Sequence, residues 1–401
     1  MKIGVLEPIS GPNASAGPDM RNGAQLAADI VNGVYPDLEQ PRVGNNGLPA
    51  LGGADVELVV ADTQGDPETA AREAERLVTE EGVVALTGAY ESAVTQAASE
   101  VAERLRIPFV NGDSTAPSLT ERGLHYFFRT GPTDVDYGRT FFSLIDDRRA
   151  AGVPISTVGI LHIDNEFGRE GATATTELAR KHGLTVTADA GYDADSEDLV
   201  PAVRQIQEKE PDVLFVLAYA PDALLMQEAF ARLGYLPPMV IGYGAGFSEP
   251  DFVDGPVRAA RAQGYLRRAA WSADLAARYP TARKVARAFE ERFGASMTEN
   301  SARTFTAVTT LAVAVNEAGS TDPERVRSAL RGLDLEGRDL LAMPWDHVRF
   351  DANGQNTGAR TFAEQFLGDR WRLVYPNDVR AEQVVWPLYA ARELQGGGVR
   401  R

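Results

Sequence analysis

Short runs rich in Val, Ile, Leu and Phe alternate along the chain with segments whose apolar residues recur at helical spacing. This is the pattern of parallel strands joined by helical crossovers. In the first part it predicts strand Lys2 to Glu7, helix Met20 to Val31, strand Val56 to Asp62, helix Pro67 to Glu81, strand Val83 to Gly88, helix Ser92 to Leu105 and strand Ile107 to Asn111. Such an alternation describes a doubly wound α/β domain. The first strand ends in a turn made by Pro8, Ser10, Gly11 and Pro12, and a small-residue loop then leads into the helix holding Asn22, Gly23 and Ala24. Open α/β sheets bind small ligands at carboxyl strand ends of this kind.

The alternation restarts after Phe128-Arg129-Thr130. Strand Thr157 to Ile163 is followed by helix Gly168 to His182, strand Thr185 to Tyr192, helix Asp198 to Lys209, strand Asp212 to Ala218, helix Pro221 to Leu233 and strand Met239 to Ile241. A second α/β domain is therefore expected. Helices Thr281 to Phe293, Ser301 to Ala318 and Pro323 to Arg331 come next. The tail reads as short strands at Val348 to Phe350, Thr361 to Phe366, Trp371 to Tyr375 and Val384 to Trp386. The Pro, Gly and Asn rich stretch Val34 to Gly53 reads as a long surface excursion.

A chain of 401 residues exceeds one ordinary core, and 44% hydrophobic residues suffice to fill two. Acidic residues outnumber basic ones 57 to 40, giving a net charge of −17. Such a surface repels phosphate backbones, so no nucleic-acid partner is expected, and solubility is the plain reading of the charge. The absence of cysteine removes disulfides, thiolate catalysis and cysteine-ligated zinc together. No stretch approaches the roughly 20 apolar residues of a membrane helix. Met1 leads directly into strand sequence, so either the protein is cytoplasmic or a leader, with or without a lipid anchor, precedes Met1.

Several segments, in this order, resemble the type I periplasmic binding proteins, specifically the leucine/isoleucine/valine-binding family. They are Lys2-Ile3-Gly4-Val5-Leu6 with Ser10-Gly11-Pro12, Gly17 to Ala24, Asp62 to Pro67, Gly88 to Gln96, Thr115 to Thr120, Phe128-Arg129-Thr130 and Asp164 to Gly168. The likeness runs from residue 2 to about residue 350. It implies an α/β fold of two Rossmann-like lobes joined by three crossover segments, with lobes at 1–130 plus 265–342 and 131–264 plus 343–401. The crossings are expected near Thr130, Gly264 and Ala342. A solute would sit between the lobes and favour their closed state. The resemblance implies the extracytoplasmic component of an ABC importer, whose permease partners supply the transport step, so the chain itself needs no cofactor.

Ser92 opens a helix after a predicted strand, so its hydroxyl and the first backbone N–H groups suit a carboxylate; the structural alternative is a plain N-cap serine. Thr115 follows the next strand and offers the same groups, whereas an Asn-Gly-Asp-Ser stretch also favours an Asx turn. By the resemblance, Ser92 and Thr115 share the ligand carboxylate, the Asp113 carbonyl accepts from the ligand ammonium, and Phe167 and Tyr219 are aromatic lids of the second lobe. Tyr90 and Glu91, immediately before Ser92, complete the first-lobe candidates. Ala14 and Ala16 leave room where bulkier side chains can occur.

One departure stands out. The branched-chain amino-acid binders carry a glutamate after the strand equivalent to Met239 to Ile241, and Gly242-Tyr243-Gly244-Ala245-Gly246 has glycine there. A buried ammonium without a counter-charge is strongly disfavoured. Glu91 or Asp113 would have to substitute, or the solute lacks an amine, as aromatic carboxylates do; Tyr243 is compatible with stacking on a ring. Amino acids, amides, urea-like compounds and aromatic acids all fit this reading. An enzyme is not expected: no strand-linked G-x-G-x-x-G, Walker loop or G-x-S-x-G elbow is present. His125, His162, His182 and His347 lack metal-ligand spacing. A cytoplasmic small-molecule sensor of the same fold is the rival, supported only by the lack of a leader within the sequence.

Overall fold

The computed structural model describes residues 1–393. They divide into two compact units, the first comprising Met1–Thr133 with Ala270–Arg360 and the second Asp134–Ala269 with the segment from Thr361 onward. The chain thus passes between units three times. The expected segment 343–401 of the second lobe ends in residues 394–401, which lie outside the described residues.

The first unit opens with β1 (Lys2–Glu7), α1 (Gly17–Val31), β2 (Glu57–Asp62), α2 (Pro67–Thr79), β3 (Ala85–Gly88), α3 (Ser92–Leu105), β4 (Phe109–Asn111) and β5 (Phe127–Arg129). The five strands form an all-parallel sheet in the order β2-β1-β3-β4-β5. Leu6 joins Leu77, Val94, Phe109 and Phe127 in the core between this sheet and α2 and α3. Local signals start the helices: Asp66 accepts a hydrogen bond from Thr69 N at 2.7 Å, with Pro67 following it. The strand order reverses between β1 and β3, so their carboxyl ends flank the topological switch point.

The second unit contains α4 (Asp134–Ala150), β6 (Thr157–Ile163), α5 (Glu166–Lys181), β7 (Thr185–Tyr192), α6 (Val200–Gln207), β8 (Val213–Leu217), α7 (Ala220–Leu233), β9 (Val240–Gly242), α8 (Gly255–Ala262) and β10 (Leu266–Ala269). The chain then returns to the first unit through α9 (Ala273–Ala276), α10 (Pro280–Phe293), α11 (Glu299–Ala318), α12 (Pro323–Gly332), β11 (Leu335–Glu336) and β12 (His347–Val348). It finishes in the second unit with β13 (Phe362–Leu367), β14 (Arg370–Tyr375) and α13 (Leu388–Glu393). The second sheet runs β14-β13-β10-β9-β8-β6-β7, with β13 and β14 antiparallel.

Several expectations change. Helix α4 and strand β10 lie where no element was predicted, and Val384 to Trp386 is not a strand. Residues 34–53 are no free excursion: Leu38, Val43 and Leu48 are buried, and the buried Gln40 amide donates to the Asp339 carbonyl at 3.0 Å. The third passage falls after Arg360 and not near Ala342, because the intervening residues extend the first unit's β5 edge. Arg129 N donates to Gly354 O at 2.8 Å, Asn356 N donates to Arg129 O at 2.9 Å, and Phe350 packs edge-on against Phe128.

Helix α11 is buried along almost its whole length. Its start is fixed by Asp19 of α1, whose carboxylate accepts from Thr298 Oγ1 at 2.5 Å and from Ser301 N at 3.1 Å. Burial outweighs these bonds and pushes the Asp19 carboxyl up to about 6. A carboxyl raised in the folded state binds its proton more tightly there than in the unfolded chain, so its contribution to stability is present at low pH and lost as pH rises through about 6. In urea titrations, the stability of the wild type relative to Asp19→Asn should therefore fall by about 1–2 kcal/mol between roughly pH 4.5 and pH 7.5. A gap that is flat or widens with pH would contradict this account.

Candidate functional site

The loops after β3 and β4 carry the first-unit candidates, and a buried polar network stitches them together. Asn111, the last residue of β4, donates its amide to Gly88 O at 2.8 Å and Ala89 O at 2.9 Å, while its Oδ1 accepts from Ser114 N at 3.0 Å. Ser114 Oγ reaches Ala89 O and Tyr90 O, both at 3.1 Å, and lies 2.5 Å from Thr95 Oγ1 on α3. Ala89 adopts a positive φ of 59° to make the turn. Every member is a short side chain with few rotamers to lose, which suits a fixed loop.

The network brings Ser92 and Thr115 to one place. Ser92 is the first residue of α3, and its Oγ accepts from Ala116 N at 3.4 Å, directly after Thr115. Both residues are almost completely buried, as are Tyr90, Glu91 and Asp113. Glu91 accepts from Asn13 Nδ2 at 2.8 Å through one oxygen, and burial raises its carboxyl above the usual range.

Asp113 is committed to a residue that sequence reasoning missed. Arg303 of α11, fully buried, places Nε 3.3 Å from Asp113 Oδ1 and donates through Nη1 to the Asp113 carbonyl at 3.1 Å. Its Nη2 reaches Asn300 Oδ1 at 3.2 Å and Glu299 Oε1 at 3.5 Å, while Thr304 Oγ1 donates to Asp113 Oδ2 at 3.1 Å. The carbonyl expected to meet a ligand ammonium therefore already accepts from a guanidinium. Burial pushes the Asp113 carboxyl up to about 6, against the lowering effect of Arg303. No periodicity signal marks an arginine inside an apolar helix as a site residue; only its incongruity does.

In the second unit, Phe167 and Tyr219 come together, with ring centroids 5.3 Å apart and planes inclined at 43°. Asn165 caps α5 by accepting from Gly168 N at 3.0 Å, which sets Phe167 in the first turn, and Tyr219 immediately precedes α7. Tyr243 does not join them. Its ring is fully buried between Phe141 and Phe215, and its hydroxyl donates to the Asp134 carbonyl. The expected ring stacking is thus replaced by a role in the core of the unit. At Gly244 a Cβ would lie 2.1 Å from Ala218 O, so the backbone leaves no room for any side chain.

Among the described residues no group of three His, Asp or Glu is arranged to hold a metal ion, and no helix is long and apolar enough to cross a membrane. A family model described as "Periplasmic binding protein" matches residues 1–368. The "Leu/Ile/Val-binding protein homolog 8" of Brucella melitensis is 29% identical over 393 residues, covering 94% of this chain and 91% of its own. The branched-chain amino acid substrate binding protein LivJ of Streptococcus pneumoniae, solved with isoleucine, superposes with a TM-score of 0.76 at 21% identity, covering 96% of this chain and 99% of that one. A solute binding protein of Rhodopseudomonas palustris, solved with 3,4-dihydroxybenzoic acid, gives 0.72 at 19% identity over 95% and 94%. Fold and family are those of binding proteins rather than enzymes.

Removing one member of a buried ion pair leaves the other unpaired. Arg303→Met is expected to cost about 3–5 kcal/mol in urea unfolding. Adding Asp113→Asn to Arg303→Met should cost less than the sum of the two single changes, because the carboxylate stranded by the first is then gone. Strictly additive losses would show that the pair does not act as a unit.

Proposed function

The chain belongs to the periplasmic binding protein family, and from that premise we propose that it is the extracytoplasmic solute-binding component of an ABC importer of the branched-chain amino-acid type. It takes a small carboxylate-bearing solute, an amino acid or an aromatic acid, and hands it to permease subunits. Closure of the two units on the solute is part of this reading, as is a location in the periplasm or, lipid-anchored, on the cell surface.

The observation that carries the proposal is the convergence of Ser92 and Thr115 at the start of α3. The first turn of a helix has backbone N–H groups without partners in the helix, and its dipole favours an anion. Ser92 Oγ and the backbone around Thr115 and Ala116 converge on the same point. In this reading Ser92 and Thr115 anchor the carboxylate, Tyr90 and Glu91 shape the adjoining wall, and Phe167 and Tyr219 supply aromatic cover for the apolar part of the solute. Relatives solved with isoleucine and with 3,4-dihydroxybenzoic acid mark the two solute classes considered.

A thermal-shift screen of amino acids, amides, urea-like compounds and aromatic acids should find its strongest stabilisation among carboxylates, since a ligand that binds only the folded state raises the melting temperature. For the best of them, Ser92→Ala should weaken binding about tenfold, the scale of one hydrogen bond to a charged group. Calorimetry that finds a change of less than about threefold would remove Ser92 from the anchor.

A further inference from the structure

Glu7 is the last residue of β1, fully buried, and neither of its carboxylate oxygens has a hydrogen-bond partner. It stands at the switch point of the first sheet, where β1 and β3 lie side by side and Leu6 is registered with Gly88. Gly88 has a φ of 94°, and a Cβ there would lie 2.2 Å from Leu6 O and 2.9 Å from Glu7 Oε1, so only glycine fits where the carboxylate borders β3. Glu91, in the loop that follows β3, likewise has one buried oxygen without a partner. Among the described residues neither glutamate has a basic partner. The nearby guanidinium of Arg303 is shared between Asp113 and Glu299.

A buried carboxyl lacking every hydrogen bond leaves its desolvation uncompensated, a penalty that calls for a function. The location narrows that function. In open α/β sheets the crevice outside the strand ends at the switch point is where ligand groups enter. Among the described residues no group of three acidic or histidine side chains is arranged to hold a metal ion. An organic cation fits instead, since an ammonium or amidinium can donate to both carboxylate oxygens at once.

We propose that Glu7 is a solute-binding residue that pairs with a cationic group, an ammonium or amidinium, on the solute, supplying the counter-charge for which Gly244 has no room. The inference rests on the carboxylate-solute reading for the other end of the same molecule. Burial, reinforced by the carboxylates of Asp113, Glu91 and Asp19, raises the Glu7 carboxyl well above the usual range, the state that an arriving cation relieves.

The test uses matched solutes that differ only in the cationic group: leucine with 4-methylpentanoate, 5-aminopentanoate with pentanoate, and 4-(aminomethyl)benzoate with 4-methylbenzoate. Calorimetry on the unaltered chain should find, for the tightest pair, the cationic member favoured by about thirtyfold or more. Glu7→Gln keeps the side-chain volume and should weaken that member about tenfold while changing its amine-free partner less than about threefold. The melting temperature of the variant without solute separates binding from folding, and the pair comparison on the unaltered chain needs no variant. If the amine-free acids bind as tightly as their partners, or if Glu7→Gln binds the cationic member unchanged, the role of Glu7 is overturned and the carboxylate-solute reading stands. Binding of none of the six compounds would overturn that reading, and this inference with it.

Discussion

A guanidinium closed off from water holds the edge of the first unit that carries the candidate site residues in place. Arg303 is bound by the carboxylate and the carbonyl of Asp113, a residue 190 positions earlier in the chain, and by Asn300 and Glu299 of its own helix. Taking such a charge out of water is costly, and only good geometry with several partners offsets the cost. The arrangement also imposes an order on the structure. The loop bearing Asp113 to Thr115 is held by a helix that follows the second unit's residues in the chain. Three threonines of α11 make no such demand: Thr306, Thr309 and Thr310 return their hydroxyls to carbonyls one turn earlier, at 2.7 to 2.8 Å. Arg303, together with Thr304, which donates to the same carboxylate, ties the helix to the Asp113 loop.

From that clamp the rest of the edge follows by short-range hydrogen bonding. With Asp113 fixed, Ser114 N falls on Asn111 Oδ1 and Ser114 Oγ bridges to the loop after β3. The Asn111 amide then holds the Gly88 and Ala89 carbonyls. Two loops that a parallel sheet would leave independent become one buried unit, and the start of α3 is aimed by it. A low-dielectric network of this kind is rigid when every member is satisfied and fails when one is missing. The loop geometry and the ion pair therefore belong to one device.

The regular parts of this architecture were legible in the residues. Strands Lys2–Glu7, Thr157–Ile163 and Thr185–Tyr192 and helix Ser92–Leu105 begin and end where apolar runs, caps and turn residues place them. The missed elements lack those signals. Helix α4 buries Tyr137, Phe141, Phe142, Leu144 and Ile145 but carries acids and arginines through its last turns, which blurs its apolar face. Strand β10 contains Arg267 and Arg268, whose charges are met by Glu364 at 2.6 Å and Asp134 at 3.5 Å. Such partners are set by tertiary structure, and no local pattern announces them. The same reason hid Arg303 and Glu7, whose meaning depends on what stands opposite them. It also misdirected Tyr243, whose ring fills the space between Phe141 and Phe215.

Glycine is compulsory at both positions that bear on charge. At Gly244 the missing side chain is compulsory, since the Ala218 backbone occupies the space a Cβ would take, and no acid can be restored there by substitution alone. At Gly88 the Leu6 backbone likewise occupies the place of a Cβ, and the unpartnered carboxylate of Glu7 borders the same position. Burying a negative charge among Asp113, Glu91 and Asp19 is unfavourable in the absence of a cation, and burial alone already drives Glu7 toward its neutral form. A cation in contact with Glu7 would reverse that balance, because opposite charges at contact in a poorly solvated site attract far more strongly than in water. A site built this way binds its cation at the expense of a proton. The same residues that make the empty edge costly would then make the filled one selective for charge.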